Sequence, residues 1–196
     1  MYAGDGLISR AADKSGLRST SDSDWAGMHN ITGETRSRTG EEHKYNGMVI
    51  DAHSSLQKTV SSEYTEAEAM IATSSGNGEL LAASATTNRG LHLSYIAEEL
   101  GLPVERPIRV GLDANAALGF LENTGSSGRM KHLDIRMDWI QQARDRSIVV
   151  YDKVDTKDID ADFFTKLHDK TDFDKKYARI AYIPGCESPP SSDSSK

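Results

Sequence analysis

Acidic side chains at the ends of predicted elements are the chemistry-bearing feature of this chain. Glu79 follows the small polar run Thr73-Ser74-Ser75 and the turn residues Gly76-Asn77-Gly78, a pattern that feeds a helix N-terminus. Leu81, Ala85, His92, Ile96 and Leu100 then recur at helical spacing, Leu80, Leu91 and Tyr95 widen the stripe, and Gly101 with Pro103 closes it. Glu79 is therefore expected in the first turn of a long amphipathic helix, where favourable interaction with the helix dipole is reason enough for an acid. Asp113 ends the alternating segment Ile108–Leu112 and precedes a short helix over Asn115–Asn123. In open α/β sheets the carboxyl ends of strands are where sites form. Asp22 and Asp24 flank a serine in what otherwise reads as a polar turn, and Asp160 and Asp162 fall in a short helical stretch from Ile159 to Leu167. Arg129, Lys131, His132 and Arg136 crowd the start of an amphipathic helix over Met130–Arg144, a position that a solvated basic face would also fill.

The elements that must position these acids are set by composition and pattern. A chain of 196 residues is enough for one domain with tails. Cys186 is the single cysteine, which rules out an internal disulfide and leaves no basis for a cysteine zinc site. No apolar run is long enough to span a membrane and the N-terminus lacks a signal-peptide core, so the expectation is an intracellular protein with no membrane contact. The formal net charge is −7. Proteins that hold nucleic acid by charge alone are usually basic, so nucleic-acid binding here has to be local, metal-assisted or aided by a partner.

Gly6-Leu7-Ile8 reads as a short strand. Asn46-Gly47 marks a hairpin over Glu41–Ile50, although the arm from Glu41 to Tyr45 is a poor strand because almost nothing in it is apolar. Leu56–Val60 reads as a third strand, Ser62–Met70 as an acidic helix-prone insert, and Ser147–Val154 as a further strand. Glu187–Lys196 is a disordered tail by composition. The order of elements predicts an α/β fold, a mixed sheet with helices on both faces. It divides the chain into an N-terminal segment (1–16), one domain (17–168) and an irregular to disordered C-terminal tail (169–196).

Five segments in order carry a resemblance: Ser21-Asp22-Ser23-Asp24-Trp25-Ala26-Gly27, then Ser74-Ser75 with Glu79-Leu80-Leu81-Ala82-Ala83-Ser84, then Leu112-Asp113-Ala114-Asn115, then Lys131-His132-Leu133-Asp134-Ile135-Arg136, then Ala161-Asp162-Phe163-Phe164-Thr165-Lys166. Together they resemble the ribonuclease H domain of copia-type retrotransposon Pol polyproteins. The resemblance implies a ribonuclease H-like fold, a five-stranded mixed sheet flanked by helices. It implies Asp22, Glu79, Asp113 and Asp162 as catalytic carboxylates holding two Mg²⁺ ions, with Mn²⁺ as a substitute. Clustered carboxylates suit a hard cation that prefers oxygen ligands. Arg129, Lys131, His132 and Arg136 become candidate backbone contacts for an RNA–DNA hybrid. The first 16 residues become the remnant of a linker from an upstream reverse-transcriptase domain.

Two assignments within the resemblance compete. Tyr64-Thr65-Glu66-Ala67-Glu68 looks more like the usual threonine-glutamate-alanine-glutamate motif, but a helix begun at Glu68 meets Gly76-Asn77-Gly78 after about two turns, with each glycine costing up to ~1 kcal/mol. Glu79 is therefore preferred, and Asp22 is preferred to Asp24 as the acid that ends the first strand. The polar arm at Glu41-Glu42-His43, His53 in place of a tryptophan, and Asn77-Gly78 depart from the pattern. They keep open a catalytically inactive, decayed remnant or interaction domain, and, more distantly, an unrelated α/β binding domain with incidental acids.

Overall fold

The computed structural model describes residues 16–24, 37–57, 75–113, 115–122 and 131–181. Strand β1 covers Leu17–Asp24, β2 Arg38–Tyr45 and β3 Met48–Leu56, and a long helix α1 covers Ser75–Glu99. β4 (Ile108–Leu112), α2 (Asn115–Glu122), α3 (Lys131–Asp145) and β5 (Val149–Lys153) follow. Two short 3-10 turns, Thr156–Asp158 and Asp160–Phe164, lead to a last helix α4, Lys170–Ile180. The strands form one five-stranded sheet in the order β3-β2-β1-β4-β5. β1, β2 and β3 run antiparallel, while β1, β4 and β5 run parallel. This is the mixed sheet with flanking helices expected from the sequence.

The apolar core lies under the parallel half. Leu17, Ile108, Val110, Leu112 and Val149 from the strands pack with Leu80, Leu91, Ala117, Leu121, Ile140 and Ala143 from the helices. The antiparallel half is built differently, and here the structure corrects the sequence reading. Glu41, Glu42 and His43 are buried in an eight-residue strand, with His43 fully enclosed. Cross-strand pairing makes this possible. Ser19 lies opposite His43 and Thr20 opposite Glu42; Ser19 Oγ is 2.7 Å from His43 Nδ1, and Thr20 Oγ1 donates to Glu42 Oε2 at 3.3 Å. Lys44 Nζ lies 3.1 Å from Glu42 and 2.5 Å from Asp160. Burial, tempered by the Lys44 charge, raises the Glu42 carboxyl to about 7.

The face of α1 that meets the sheet also differs from the predicted stripe. Leu80, Ala83, Thr87, Leu91, Ser94 and Ala97 are buried, whereas Tyr95, Ile96 and Leu100 are exposed, as are Ala85 and His92. The helix lies too close to β1 and β2 for large side chains: a Cβ on Gly90 would come within 2.9 Å of Ser19 Oγ. Thr87 and Ser94 return their hydroxyls to the helix carbonyls of Ala83 and Leu91, so small polar residues line a tight interface at little cost.

Three boundaries shift. β3 is continuous from Met48 to Leu56, rather than two short strands. The stretch around Asp162 is 3-10, not α-helical. Helix α4 forms within the predicted irregular tail, started by Asp169, whose carboxylate accepts from Asp172 N at 2.8 Å. The Gly6–Ile8, Lys58–Val60, Ser62–Met70 and Glu187–Lys196 readings lie outside the described residues.

Gly40 seats the Asp160–Phe164 turn on the sheet. A Cβ there would meet the Ala161 carbonyl oxygen at 2.4 Å and Thr165 Cγ2 at 2.7 Å. Gly40→Ala is expected to lower stability by at least about 1–3 kcal/mol by forcing backbone apart. Gly119→Ala, in the interior of α2 with no atom within 4 Å of the added carbon, is expected to stabilise by about 0.5–1 kcal/mol. Urea unfolding of both variants checks this, and equal effects would overturn the close-packing account.

Candidate functional site

Register brings two of the acids together. Parallel pairing sets Arg18 beside Arg109 and Thr20 beside Gly111. Continued two residues further, it sets Asp22 beside Asp113 at the carboxyl ends of neighbouring strands. Glu79 arrives from α1. The helix begins at Ser75, so Glu79 sits in its second turn, not its first, and the dipole account of this acid loses its force.

Gln57, which no sequence pattern singled out, ties this helix start to the sheet. Its Nε2 lies 3.1 Å from Ser23 Oγ, 3.1 Å from Thr39 Oγ1 and 3.0 Å from the Gly78 carbonyl. Gly78 in turn approaches β1 closely, since a Cβ on it would meet Ser23 Oγ at 2.8 Å. Gln57 thereby fixes the residue just before Glu79.

Asp22, Glu79 and Asp113 each offer a carboxylate oxygen within 4.8 Å of the others. Asp22 and Glu79 are buried and Asp113 is half-buried. Glu79 Oε2 is buried without a hydrogen-bond partner. Around this group stand donors. Thr165 Oγ1 donates to Asp22 Oδ2, Thr156 Oγ1 to Asp113 Oδ2 at 3.1 Å, and Lys153 Nζ to the Asp113 carbonyl. Asp162 stands apart from the three. Its carboxylate is held by two lysines, Lys166 on Oδ1 and Lys176 on Oδ2, although its charge is felt at Asp22. The same Thr165 Oγ1 lies 3.1 Å from the Asp162 carbonyl oxygen and so stands between the two acids. Arg129 lies outside the described residues, as do Glu68 and the side chains of Lys131, His132 and Arg136, whose backbone opens α3.

The electrostatics follow from crowding. Burial, then the charges of Asp22 and Asp113, push the Glu79 carboxyl up to about 8, against a smaller pull from the Ser23 backbone N–H and Lys166. Burial also raises Asp22, with Asp162 and Asp113 adding to the rise and Thr165 and Lys166 opposing it. Burial acts the same way on Asp162, but the hydrogen bonds and charges of Lys166 and Lys176 together outweigh it and leave that carboxyl below its usual range. An orphaned carboxylate oxygen among converging acids fits a hard divalent cation, with Asp22, Glu79 and Asp113 as the residues able to hold it. Asp24, Glu41 and Asp160 do not join the group.

These shifts have a sign. A carboxyl raised from 4.5 to about 8 keeps a proton in the folded state that the unfolded chain has already lost. The Glu79 contribution to stability is therefore greatest below about pH 4.5, falls as pH rises through the window up to about 8, and levels off above it. Glu42, raised to about 7, acts in the same direction. In chelator, the melting temperature is expected to fall by several degrees from pH 5 to 8.5. Glu79→Gln should flatten that slope and melt above the wild type at pH 8.5. A flat wild-type profile would overturn the picture of mutually repelling acids.

No protein-family model matches the chain. Over 158 residues it is 29% identical to the retrovirus-related Pol polyprotein from transposon TNT 1-94 of Nicotiana tabacum, covering 81% of this chain and 11% of that protein. The chain thus spans about a tenth of the length of this curated relative. Among solved structures it is similar to the LC11 ribonuclease H1 isolated from compost, with a TM-score of 0.48 and 14% identity, covering 83% of this chain and 99% of that one. It is also similar to an N-terminal ribonuclease H domain from Mycobacterium tuberculosis, with a TM-score of 0.48 and 11% identity, covering 82% and 95%. No helix among the described residues is long and apolar enough to cross a membrane. Over most of its length the chain is thus similar to one part of a retrotransposon Pol polyprotein, and its described residues form a five-stranded mixed sheet with flanking helices.

Proposed function

We propose that this domain is a metal-dependent ribonuclease that cuts the RNA strand of RNA–DNA hybrids, with Asp22, Glu79, Asp113 and Asp162 as the carboxylates that hold two divalent cations. The observation that carries this reading is the convergence of Asp22, Glu79 and Asp113 within 4.8 Å at the carboxyl ends of two parallel strands and the start of α1. Bound Mg²⁺ or Mn²⁺ would supply charge to activate an attacking water and to stabilise the departing 3′-oxygen of an in-line displacement. The chain's own residues do the rest. Asp22 and Asp113 are fixed by strand register, Glu79 by the Gln57 clamp, and Asp162 by the turn seated on Gly40. Thr165 and Thr156 orient the Asp22 and Asp113 carboxylates by donating to one oxygen of each.

The hybrid itself is recognised by groove shape and 2′-hydroxyls. Arg129, Lys131, His132 and Arg136 are the candidate backbone contacts, close in sequence at the start of α3. With a net charge of −7, long-range attraction to the duplex is weak, so cation bridging carries much of the binding. A neighbouring reverse-transcriptase domain in a parent polyprotein would raise the effective concentration of substrate. The second reading, a decayed remnant without activity, draws support from the buried polar atoms of Glu41, Glu42 and His43 that find no hydrogen bond, since such groups lower stability.

Hydrolysis of a labelled RNA–DNA hybrid in Mg²⁺ separates the two. Cleavage of the RNA strand that is lost in chelator and lost in Asp113→Asn is the expected outcome. A folded protein with no cleavage in Mg²⁺ or Mn²⁺ would establish the remnant reading. Cleavage that survives in Asp113→Asn would exclude the proposed ligand set.

A further inference from the structure

Helices α1 and α3 enclose a groove of about 390 Å³ that the carboxylate chemistry leaves unused, a volume within the range of ligand sites. Its floor is apolar: Leu91 and Ala143 are buried, and Ile148, just before β5, is half-buried. Each wall carries one aromatic side chain, Tyr95 from α1 and Trp139 from α3, 55% and 37% exposed. Asn88 and His92 of α1, Gln142 of α3 and Arg146 just past its end supply the polar lining.

Two features set this groove apart from an ordinary seam between packed helices. The first is that its polar groups are idle. Among the described residues, none makes a hydrogen bond or ion pair with the side chains of Asn88, His92, Gln142 or Arg146. The arginines beside them are matched, Arg144 by Asp145 at 2.5 Å and Arg106 by Glu98 at 2.9 Å. No acid is among the described residues that line the groove. It is therefore locally cationic on a chain whose net charge is −7. The second feature is that Tyr95 is held ready. The Arg106 guanidinium lies over its ring, 5.4 Å from the centroid, and Glu98 holds that guanidinium. A ring positioned in this way, yet still half exposed, needs little ordering to accept a planar partner.

A planar ring, a hydrogen-bonding edge and a negative charge are what such a lining selects, and a nucleotide carries all three. Bases stack on aromatic side chains with little regard to sequence, side-chain amides pair with base edges, and a guanidinium suits phosphate. We propose that the groove between α1 and α3 binds an unpaired nucleotide of a single strand, its base against Tyr95 and Trp139 and its phosphate at Arg146 and His92. This deepens the ribonuclease reading, on which it rests for the identity of the substrate. Asn88 and Tyr95 follow Glu79 on the same helix, roughly 14 and 24 Å along it at 1.5 Å per residue. The groove is thus remote from the carboxylates, by about four to seven nucleotides at 3.4 Å each. A hybrid lying at the carboxylates is then gripped through a single-stranded extension, which supplies binding that the net charge does not.

The test is the fluorescence of Trp139 in Trp25→Phe, which removes the other of the two tryptophans, titrated with a short oligoadenylate in chelator. Chelator keeps cations from the carboxylates, so the result does not depend on cleavage. Saturable quenching is expected, with adenosine monophosphate binding more weakly than the oligomer. Tyr95→Ala should weaken binding of the oligomer by about five- to a hundredfold, the scale of one stacked base. Arg146→Gln should reduce the salt slope by about 0.7, the share of one phosphate on a single strand. In the unmodified chain the oligomer should protect Trp139 from hydroxyl-radical oxidation, read by mass spectrometry, a measurement that holds even if a variant fails to fold. An unprotected Trp139, or quenching unchanged in a folded Tyr95→Ala, would overturn the inference, as would binding of the mononucleotide but not the oligomer. If Trp139 is protected while a hybrid is not cleaved in Mg²⁺, the ribonuclease reading falls and the ligand of the groove stands.

Discussion

Repulsion among buried carboxylates is the constraint around which this structure is arranged. Asp22, Glu79 and Asp113 are brought together by elements distant in sequence, each with a carboxylate oxygen within 4.8 Å of the others. Left alone, such a group protonates, and the upward shifts of Asp22 and Glu79, due first to burial and then to the charges of neighbouring acids, express that cost. Every nearby donor opposes it: Thr165 on Asp22, Thr156 on Asp113, the Lys166 charge at a distance. The backbone that holds the acids has to be stiff enough to resist their separation. That stiffness comes from a register shared by two parallel strands and from a glutamine that locks the start of α1 against β1 and β2.

The antiparallel half of the sheet shows the same economy with polar groups. A strand that buries Glu41, Glu42 and His43 is tolerable only because each has a neighbour across the ladder or along it. The tight contact of α1 has the same origin. A helix lying over Ser19 and His43 has to present glycine, alanine and threonine at the close approach, while Tyr95, Ile96 and Leu100 face outward. The described residues thus form an apolar core under β4 and β5 and a polar one under β2.

This division explains what the sequence disclosed. The segments around the apolar core were legible, because Ile108–Leu112 alternates and Asn115–Glu122 carries its apolar residues at helical spacing, and both formed as expected. β2 was illegible because periodicity registers apolar side chains, whereas its burial is stabilised by cross-strand partners that are invisible in one dimension. The α1 stripe misled for the same reason: at close approach, the buried face is the one with small residues. For the candidate site, the acids could be named in order from the resemblance, but their supports could not. Gln57, Thr156, Lys153 and Lys176 occupy no recognisable spacing relative to the acids they serve. α4 was hidden within a stretch whose polar composition reads as tail, and its stability comes from Asp169 at its start and from Phe163, outside the helix.

An acidic chain proposed to act on nucleic acid presents an apparent contradiction, which local charge resolves. A phosphate entering between Asp22, Glu79 and Asp113 meets repulsion unless cations are already there. Cations entering the same place gain more when a phosphate oxygen completes their coordination. Each ligand therefore favours the other, and by linkage the two effects are equal in free energy. Net charge on the remote surface matters little to such a pair, because screening at physiological salt limits its reach to about 8 Å. The lysines on Asp162 belong to the same accounting. Lys166 and Lys176 supply the positive charge that its carboxylate requires, so that acid adds little to the repulsion at the other three.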